Sequence, residues 1–322
     1  MVEGLTVGVF GSDPAAKGEF EASVAKKSEA EGMIVYHRKE GERRISILDD
    51  SEFPERIQGY ARIASLSDYA YYIAPTGGRL SKSDGELAVL LDSFRVPGTV
   101  VTQDGGIDAA WVRASFRGTA LESYALEVRP PGSALLGVGG VATRRDLDAG
   151  GTVVYMDRAF NVNGLGTVAL GFVLSGEISL HDELRTTPSP KDTKVEVKGI
   201  QVNDVDQERV GRGIRVGLAL RGVDARSLQK THWLDDGSLA VTDRLSLSFA
   251  PSPYYRQAVS DRDLHIQLPG EMVTASMAKG ARDGEISAKL PYEVPVWKGM
   301  GAAVVDLNGK GLRVAGGCIC NV

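Results

Sequence analysis

The first 120 or so residues alternate short apolar runs with segments of helical spacing, whereas the chain beyond residue 150 contains only short apolar runs separated by turns. Thr6–Phe10 and Tyr69–Ile73 are typical of buried strands, and Lys17–Glu31 and Gly85–Phe94 are typical of helices. Alternating strands and helices are the pattern of a doubly wound sheet. The first part is therefore predicted to be an α/β domain.

The later part of the chain is predicted to be all β. Runs rich in Val, Ile and Leu, such as Thr152–Tyr155 and Lys194–Gln201, are separated by Gly, Asp or Pro, a spacing that indicates antiparallel barrels. A second break lies near Asp235–Gly237, and the same pattern resumes after it. We therefore predict three domains: an α/β domain over 1–148 and β-barrels over 149–242 and 243–322.

Composition narrows the function classes. The chain has 37 Lys and Arg against 42 Asp and Glu, a net charge of −5, which argues against nucleic-acid binding by bulk positive charge but leaves a local basic site open. Its 2 Cys cannot form a disulfide framework, and its 4 His lie in separate segments, so no metal site is predicted. Without a long apolar run or a signal peptide, we expect a cytoplasmic protein with no membrane partner.

One segment resembles a known family. Asp157–Val168 reads DRAFNVNGLGTV and is similar to the second-domain signature of the Tu-type translation elongation factors, and Gly213–Val223 is similar to a later strand of that domain. The same glycines also suit tight turns in any small barrel. The nearest branch is identified as the archaeal relatives of the selenocysteine-specific factor (SelB-like), including a group proposed to be pyrrolysine-related. The resemblance implies a degenerate P-loop GTPase-like domain followed by two antiparallel β-barrels.

The resemblance also implies a phosphate loop of the form G-x-x-x-x-G-K-[ST]. Here the first strand is followed by GSDPAAKG, in which Gly11 and Lys17 hold the positions of the loop start and the phosphate-binding lysine. Ala16 replaces the second glycine, and Gly18 replaces the hydroxyl residue that holds Mg²⁺. A degraded phosphate site and an ordinary strand-to-helix turn both account for this segment.

The other nucleotide motifs implied by the resemblance are degraded as well. Asp49 stands at the acidic Mg²⁺ position, but Glu52 replaces the following glycine and Phe53 replaces the water-positioning histidine. Asp104 is the only candidate for the guanine-binding aspartate, and it suits a plain turn equally well. GTP or GDP with Mg²⁺ is thus a cofactor of the family whose motifs have decayed here. No catalytic residue is predicted, and conventional hydrolysis is not expected.

In the resembled family, the second domain holds the aminoacyl end of tRNA. Segment 206–216 lies where part of that pocket forms, and its charges also suit a solvated hairpin. The candidate tRNA-binding residues are Glu208, Arg212, Gly213, Arg215 and Gly217.

We therefore predict a translation protein that binds aminoacyl-tRNA or the ribosome with weak or no GTP hydrolysis. Two alternatives stay open. The first is an active GTPase that binds guanine nucleotide through Lys17 and Asp49. The second is a regulatory module that binds a protein partner through its barrels.

Overall fold

The computed structural model describes residues 4–24, 26–29, 33–103, 105–129, 138, 140–188, 193–229, 231–309 and 311–321. These residues form one α/β sheet followed by two antiparallel β-barrels, which confirms the predicted fold class. The predicted domain boundaries stay predictions. Within the described part of the chain, no helix combines the length and the apolar character needed to cross a bilayer.

The first domain is a seven-stranded sheet of order β2-β3-β4-β1-β5-β6-β7. Its elements are β1 (Gly4–Phe10), α1 (Pro14–Val24), β2 (Lys26–Glu29), β3 (Met33–Glu40), β4 (Arg43–Asp50), α2 (Gln58–Leu66), β5 (Tyr69–Ile73), α3 (Lys82–Ser93), β6 (Gly98–Thr102), α4 (Ala109–Ser115) and β7 (Ala125–Val128). Strands β4, β1, β5, β6 and β7 are parallel, and β3 and β2 continue the sheet antiparallel.

The predicted first helix is wrong at both ends. It begins at Pro14 instead of Lys17, and it ends at Val24 instead of Glu31. The residues beyond it form β2, which pairs with β3 at the edge of the sheet. Helix-forming composition is a weak signal, and here pairing with a neighbouring strand overrides it.

The second domain is a closed six-stranded barrel of order β11-β16-β8-β9-β15-β12, in which β11 pairs with β12 to complete the ring. Its elements are β8 (Val153–Val162), β9 (Gly166–Ser175), β10 (Glu177–Ser179), β11 (Glu183–Thr187), β12 (Lys194–Val202), β13 (Val205–Gln207), β14 (Arg209–Gly211), β15 (Arg215–Arg221), α5 (Ala225–Leu228) and β16 (Trp233–Asp235). Buried and exposed positions alternate along much of β12, because successive side chains of a strand point to opposite faces.

The third domain is a second closed barrel, of order β17-β20-β19-β18-β21-β22. Its strands are β17 (Ala240–Pro251), β18 (Arg262–Gln267), β19 (Met272–Lys279), β20 (Glu285–Val296), β21 (Gly301–Val305) and β22 (Val314–Cys320). The two cysteines, Cys318 and Cys320, lie buried on β22 as free thiols.

The three domains share one apolar core. A single cluster of buried side chains includes Tyr60 of α2, Trp233 of β16 and Ile266 of β18. The indole nitrogen of Trp233 also donates to the carbonyl of Pro269 at 3.1 Å, between the two barrels. Burial of apolar surface across all three domains favours one fixed arrangement of the domains.

A buried ion pair adds to this docking. Arg313 of the third domain donates from Nη2 to Oε2 of Glu86 on α3 at 2.6 Å, and Glu86 is 2% exposed. The same guanidinium donates to the carbonyls of Pro54 at 3.0 Å and Glu55 at 3.2 Å, in the segment between β4 and α2. This segment, which follows the acidic motif position, is therefore held by the third domain.

Candidate functional site

In the turn between β1 and α1, the carboxylate of Asp13 binds backbone N–H groups at the start of α1. Asp13 accepts hydrogen bonds at Oδ1 from the backbone nitrogens of Ala15 at 3.0 Å and Ala16 at 3.2 Å, in the first turn of α1. Its Oδ2 accepts from the backbone nitrogen of Thr76 at 3.1 Å and from its hydroxyl at 2.9 Å. A phosphate at a helix N-terminus uses the same kind of N–H groups. The Asp13 carboxylate thus takes the place that the motif assigns to a phosphate.

Hydrogen bonding keeps the Asp13 carboxylate charged. Partial burial acts to raise its pKa, but the hydrogen bonds from Thr76, Ala16 and Ala15 outweigh burial, so that the pKa lies below its usual value. The negative charge also suits the positive end of the helix dipole. Asp13 is therefore a cap of α1.

Lys17 is fully engaged inside the first domain. Its Nζ donates to Oδ1 of Asp49 at 2.7 Å, to the hydroxyl of Tyr60 at 2.7 Å and to the carbonyl of Asp50 at 3.1 Å. The Tyr60 hydroxyl in turn donates to the same Asp49 oxygen at 2.9 Å. An ammonium group has three protons to donate. These contacts use all three, and the pair is 9% exposed at Lys17 and 2% exposed at Asp49.

The carboxylate of Asp50 lies beside the cluster formed by Lys17, Asp49 and Tyr60. Oδ1 of Asp50 accepts from the backbone nitrogen of Glu52 at 3.1 Å, while its buried Oδ2 has no hydrogen-bond partner among the described residues. A Cβ on Gly59 would lie 2.4 Å from this carboxyl, so the glycine lets α2 approach it. Burial, with a smaller contribution from the charge of Asp49, raises the pKa of Asp50 to about 6.

Gly11 and Gly18, two further predicted nucleotide residues, take no part in the Lys17 contacts. Gly11 packs against the end of β5, where a Cβ would meet the carbonyl oxygen of Ile73 at 2.9 Å. Gly18 is exposed on α1, with open space at its Cβ position. Asp104 lies outside the described residues. The structure therefore brings Lys17 and Asp49 together, and it joins them to each other directly.

A cavity of about 320 Å³ lies where the three domains meet. The first domain contributes a residue of α2, the second contributes β8 and the segment before β16, and the third contributes the turn before β19. The polar side chains that line it are those of Arg62, Asp157, Arg158, Gln229, Thr231, His232 and Glu271. Asp157 and Arg158 begin the segment that resembles the elongation-factor signature.

Asp157 links the cavity to a predicted tRNA residue. Its Oδ2 accepts from Nη2 of Arg215 at 2.7 Å, and the Arg215 guanidinium lies over the ring of Phe172, 5.5 Å from the ring centroid. The Asp157 side chain is 10% exposed, and its Oδ1 has no hydrogen-bond partner among the described residues. Asp157 therefore lines the cavity as a residue, while its Oδ1 is buried behind the cavity surface.

The opposite wall holds a histidine and a glutamate. Nδ1 of His232 lies 3.3 Å from Oε2 of Glu271, and the imidazole ring packs against Tyr292 with centroids 5.8 Å apart. Burial, assisted by the charge of Arg62, lowers the pKa of His232, whereas burial raises the pKa of Glu271. Burial therefore disfavours the charged form of both side chains at this contact.

The other predicted tRNA residues lie elsewhere on the second domain. Nη2 of Arg212 donates to the Arg144 carbonyl and lies 3.3 Å from Oδ1 of Asp68, so this side chain joins the second domain to the first. Gly213 has a φ of 77° and packs on the Gly4 backbone, where a Cβ would lie 2.5 Å from the carbonyl oxygen.

Two further candidates lie away from that contact. Glu208 is exposed between β13 and β14, and Gly217 is half-buried on β15. Of the five candidates, the structure thus brings Arg215 to the cavity, through Asp157. The tRNA role of all five residues stays a prediction.

Comparison with known proteins identifies the scaffold. Residues 166–234 match a family described as elongation factor Tu domain 2. The crystal structure of SelB from Methanococcus maripaludis with the GTP analogue GppNHp superimposes with a TM-score of 0.80 at 18% identity, covering 99% of this chain and 79% of that one. The chain has the fold of SelB, and its residues 166–234 are similar to elongation factor Tu domain 2. The predicted resemblance is confirmed at this level, and the pyrrolysine-related assignment stays a prediction.

Other relatives define the extent of the likeness. The SelB-like chain is 25% identical over 316 residues to the uncharacterised protein MJ0325 of Methanocaldococcus jannaschii, covering 98% of this chain and 99% of that protein. It is 37% identical over 91 residues to the selenocysteine-specific elongation factor of the same organism, but this match covers only 19% of that factor. A bacterial EF-Sec structure gives a TM-score of 0.83 at 14% identity, with 58% of that chain covered.

Sequence reasoning missed five polar residues of the cavity, which come from all three domains: Arg62, Gln229, Thr231, His232 and Glu271. Asp157 and Arg158, which open the family-like segment, are the signal for the cavity in the sequence.

Proposed function

We propose that this SelB-like chain is a translation protein that binds the aminoacyl end of a charged tRNA in the cavity between its domains, without a guanine-nucleotide switch. The observation that carries the proposal is the cavity of about 320 Å³ between the three domains, lined by charged and polar side chains, next to a segment (residues 166–234) that is similar to elongation factor Tu domain 2. Charged side chains that line a cavity between domains are typical of a ligand site.

The chemistry of the cavity suits an aminoacyl ester. The α-ammonium group of an aminoacyl-tRNA is a cationic donor, and two carboxylate residues, Asp157 and Glu271, line the cavity. Gln229 and Thr231 add neutral donors and acceptors at the rim for a ribose or a base edge. Enclosure by three docked domains would shield the ester from water. The ligand is therefore expected to be hydrolysed more slowly when bound.

The nucleotide-independent part of the proposal rests on the β1–α1 turn. All three protons of the Lys17 ammonium are donated to protein oxygens, and Asp13 occupies the first turn of α1. Binding of a triphosphate would require both side chains to move and would leave Asp49 buried without its cation. The crystallised SelB is in complex with a GTP analogue, whereas GTP and Mg²⁺ are not expected to be needed by this chain.

The test is binding and protection of charged tRNA. Filter binding of charged and uncharged tRNA, together with the rate of ester hydrolysis, is measured with and without GTP. We expect tighter binding of charged tRNA, slower hydrolysis of its ester, and no change on addition of GTP. Asp157→Asn should weaken binding of the charged form, whereas Asp204→Asn, at an exposed turn of the same domain, should not. Equal binding of charged and uncharged tRNA would contradict a role for the cavity.

Labelled GTP and GDP distinguish the alternative of an active GTPase. Micromolar, Mg²⁺-dependent binding that is lost in Lys17→Met would support that alternative and overturn the nucleotide-independent proposal. Absence of binding to charged tRNA, uncharged tRNA and nucleotide alike would leave the protein-binding module. Co-sedimentation with ribosomes, with and without charged tRNA, tests the second predicted partner.

A further inference from the structure

Two like charges lie directly opposite each other on neighbouring strands of the first domain. Lys39 of β3 is the register partner of Arg44 of β4, in the hairpin of residues 37–46. The Cβ atoms of directly opposite residues lie about 5 Å apart, and like charges at such positions destabilise a sheet. Lys39 is exposed and Arg44 is half-buried, and neither side chain forms an ion pair with any residue that the structure describes. The two cations therefore repel each other across the strand pair without a counter-ion.

The neighbouring residues do not neutralise this pair. On its other side Arg44 is opposite Gly4 of β1, which has no side chain. Oε2 of Glu40 accepts a hydrogen bond from the backbone nitrogen of Val138 at 3.1 Å. Glu42 is exposed in the turn and forms no ion pair within the described part of the chain. The hairpin has the sequence HRKEGERRIS, with four Lys and Arg against two Glu, so that it is net positive in a chain of net charge −5.

Charged side chains also occur at the edges of sheets, where they prevent association with another strand. The edge strand on this side of the sheet is β2, whereas Arg44 lies on β4, an interior strand between β3 and β1. Protection of an edge therefore does not account for both cations. Attachment to an anionic membrane also requires apolar side chains beside the cations. Among the described residues of the hairpin, no large hydrophobic side chain is exposed.

We infer that the Lys39–Arg44 face of this hairpin binds the phosphate backbone of duplex RNA, outside the interdomain cavity. Phosphate oxygens accept charge-assisted hydrogen bonds from guanidinium and ammonium groups, and such contacts position a duplex without reading its sequence. A single strand would instead need exposed aromatic rings for its bases to stack on, and Tyr36, the tyrosine of β3, is buried. That the polyanion is an RNA rests on the proposed function, whereas the site itself rests on the strand register and the unpaired charges.

The test uses the whole chain and a labelled RNA duplex of about 16 base pairs that carries no aminoacyl group, so that the cavity is not tested with it. Fluorescence anisotropy gives the dissociation constant across a salt series from about 50 to about 200 mM. Loss of one cation that contacts a phosphate lowers the slope of log K against log salt by about one. We expect this change for Lys39→Gln, and a change of about two, with binding about tenfold weaker at the lowest salt, for Lys39→Gln combined with Arg44→Gln.

The matched control combines Arg56→Gln with Lys82→Gln, which removes one arginine and one lysine from exposed positions of the same domain. It should leave the affinity and the salt slope unchanged. Urea unfolding separates binding from folding: Lys39→Gln should unfold at the same urea concentration as the wild type or a higher one, because the change relieves the repulsion between opposite cations. An equal loss of binding in the hairpin and control variants would overturn the inference, as would a wild type that does not bind the duplex at low salt.

Two further probes decide between classes of partner: a labelled poly-glutamate peptide, and vesicles of phosphatidylserine in phosphatidylcholine. If either probe binds more tightly than the duplex at equal ionic strength and is lost in the Lys39 and Arg44 variants, that partner replaces RNA and the inference is overturned. If the duplex binds through Lys39 and Arg44 while charged and uncharged tRNA bind equally well, the proposed function fails and this surface stands. A preference for charged tRNA, together with duplex binding that does not depend on the hairpin, would overturn the inference alone.

Discussion

The β1–α1 turn and the interdomain cavity both gather charged side chains, but they differ in how these charges are satisfied. In the turn, Lys17 donates to three protein oxygens and Asp13 caps its own helix. In the cavity, Arg62 and Asp157 each keep a buried polar atom without a partner among the described residues. The Lys17 and Asp13 contacts stabilise the fold, with the unpartnered Oδ2 of Asp50 as the exception in the turn. The unpartnered atoms of the cavity residues cost free energy and fit the ligand site that we propose there.

The difference between the turn and the cavity matches the sequence motifs in which each lies. Asp13 and Lys17, which lie in the segment that the resemblance assigns to a phosphate loop, have partners inside the protein. The barrel segment that resembles the family signature keeps Asp157 at a cavity that opens between docked domains. We infer that the first domain of this SelB-like chain now serves as a wall and a support for the second.

Among the predictions that test this difference, removal of the Lys17 ammonium is expected to change the free energy of unfolding most. Lys17→Met would leave the Asp49 carboxylate, 2% exposed, with the Tyr60 hydroxyl but without its cation. Breaking a buried pair from one side costs about 3–5 kcal/mol. We expect a loss of this size in the free energy of unfolding, measured by urea denaturation at pH 7.

A double-mutant cycle controls for this effect. Asp49→Asn removes the stranded charge, so that Lys17→Met combined with Asp49→Asn should lose less stability than the two single losses added together. A loss below about 1 kcal/mol for Lys17→Met alone would indicate an ammonium that is available to a nucleotide, contrary to a saturated cluster.

The next prediction concerns Asp50, which has an unpartnered oxygen within the otherwise saturated cluster. Its pKa is 3.8 when unperturbed and about 6 in the fold, so the unfolded chain loses this proton first. The free energy of unfolding therefore falls as pH rises from about 4 to about 6. Asp50→Asn should flatten this fall and stabilise the protein at pH 7 by about 2 kcal/mol, measured by urea denaturation across a pH series.

Asp50→Asn keeps an acceptor for the Glu52 backbone nitrogen, so it isolates the charge. The exposed Asp204→Asn serves as a matched control and should leave the pH profile unchanged. A variant that is less stable than the wild type at pH 7 would assign a stabilising role to the Asp50 charge, and an unchanged pH profile would place the titration on another group.

A smaller effect is expected at the helix cap. Asp13→Ala removes the acceptor of two backbone nitrogens in α1 and should lower the free energy of unfolding by about 1 kcal/mol. Asp13→Ser retains a capping oxygen but lacks the contact with Thr76. Thermal denaturation that finds the serine variant as unstable as the alanine variant would assign the effect to Thr76 instead of the cap.

The sequence predicts the scaffold better than the site. Alternating burial and turn residues predict both barrels, and Asp157 can be found from the family-like segment. The roles of Asp13 as a helix cap and of Lys17 as the partner of Asp49 cannot be predicted from the sequence, because both residues also match a degraded phosphate loop. The hydrogen-bond distances in the structure decide between a structural role and a phosphate-binding role. Arg62 and Glu271 are separated by about 200 residues, so that only docking of the domains brings them to one cavity. No local pattern encodes that contact.

The smallest effect tests the cavity side of the comparison. His232 and Glu271 lie 3.3 Å apart, and their side chains are 24% and 18% exposed. Because burial disfavours the charged form of both side chains, the contact adds little stability. Glu271→Gln should therefore change the free energy of unfolding at pH 7 by less than about 0.5 kcal/mol, in the same urea assay as Lys17→Met. A loss comparable to that of Lys17→Met would mean that the cavity wall stabilises the fold as much as the β1–α1 turn does, and the distinction between a saturated and a ligand-ready cluster would not hold.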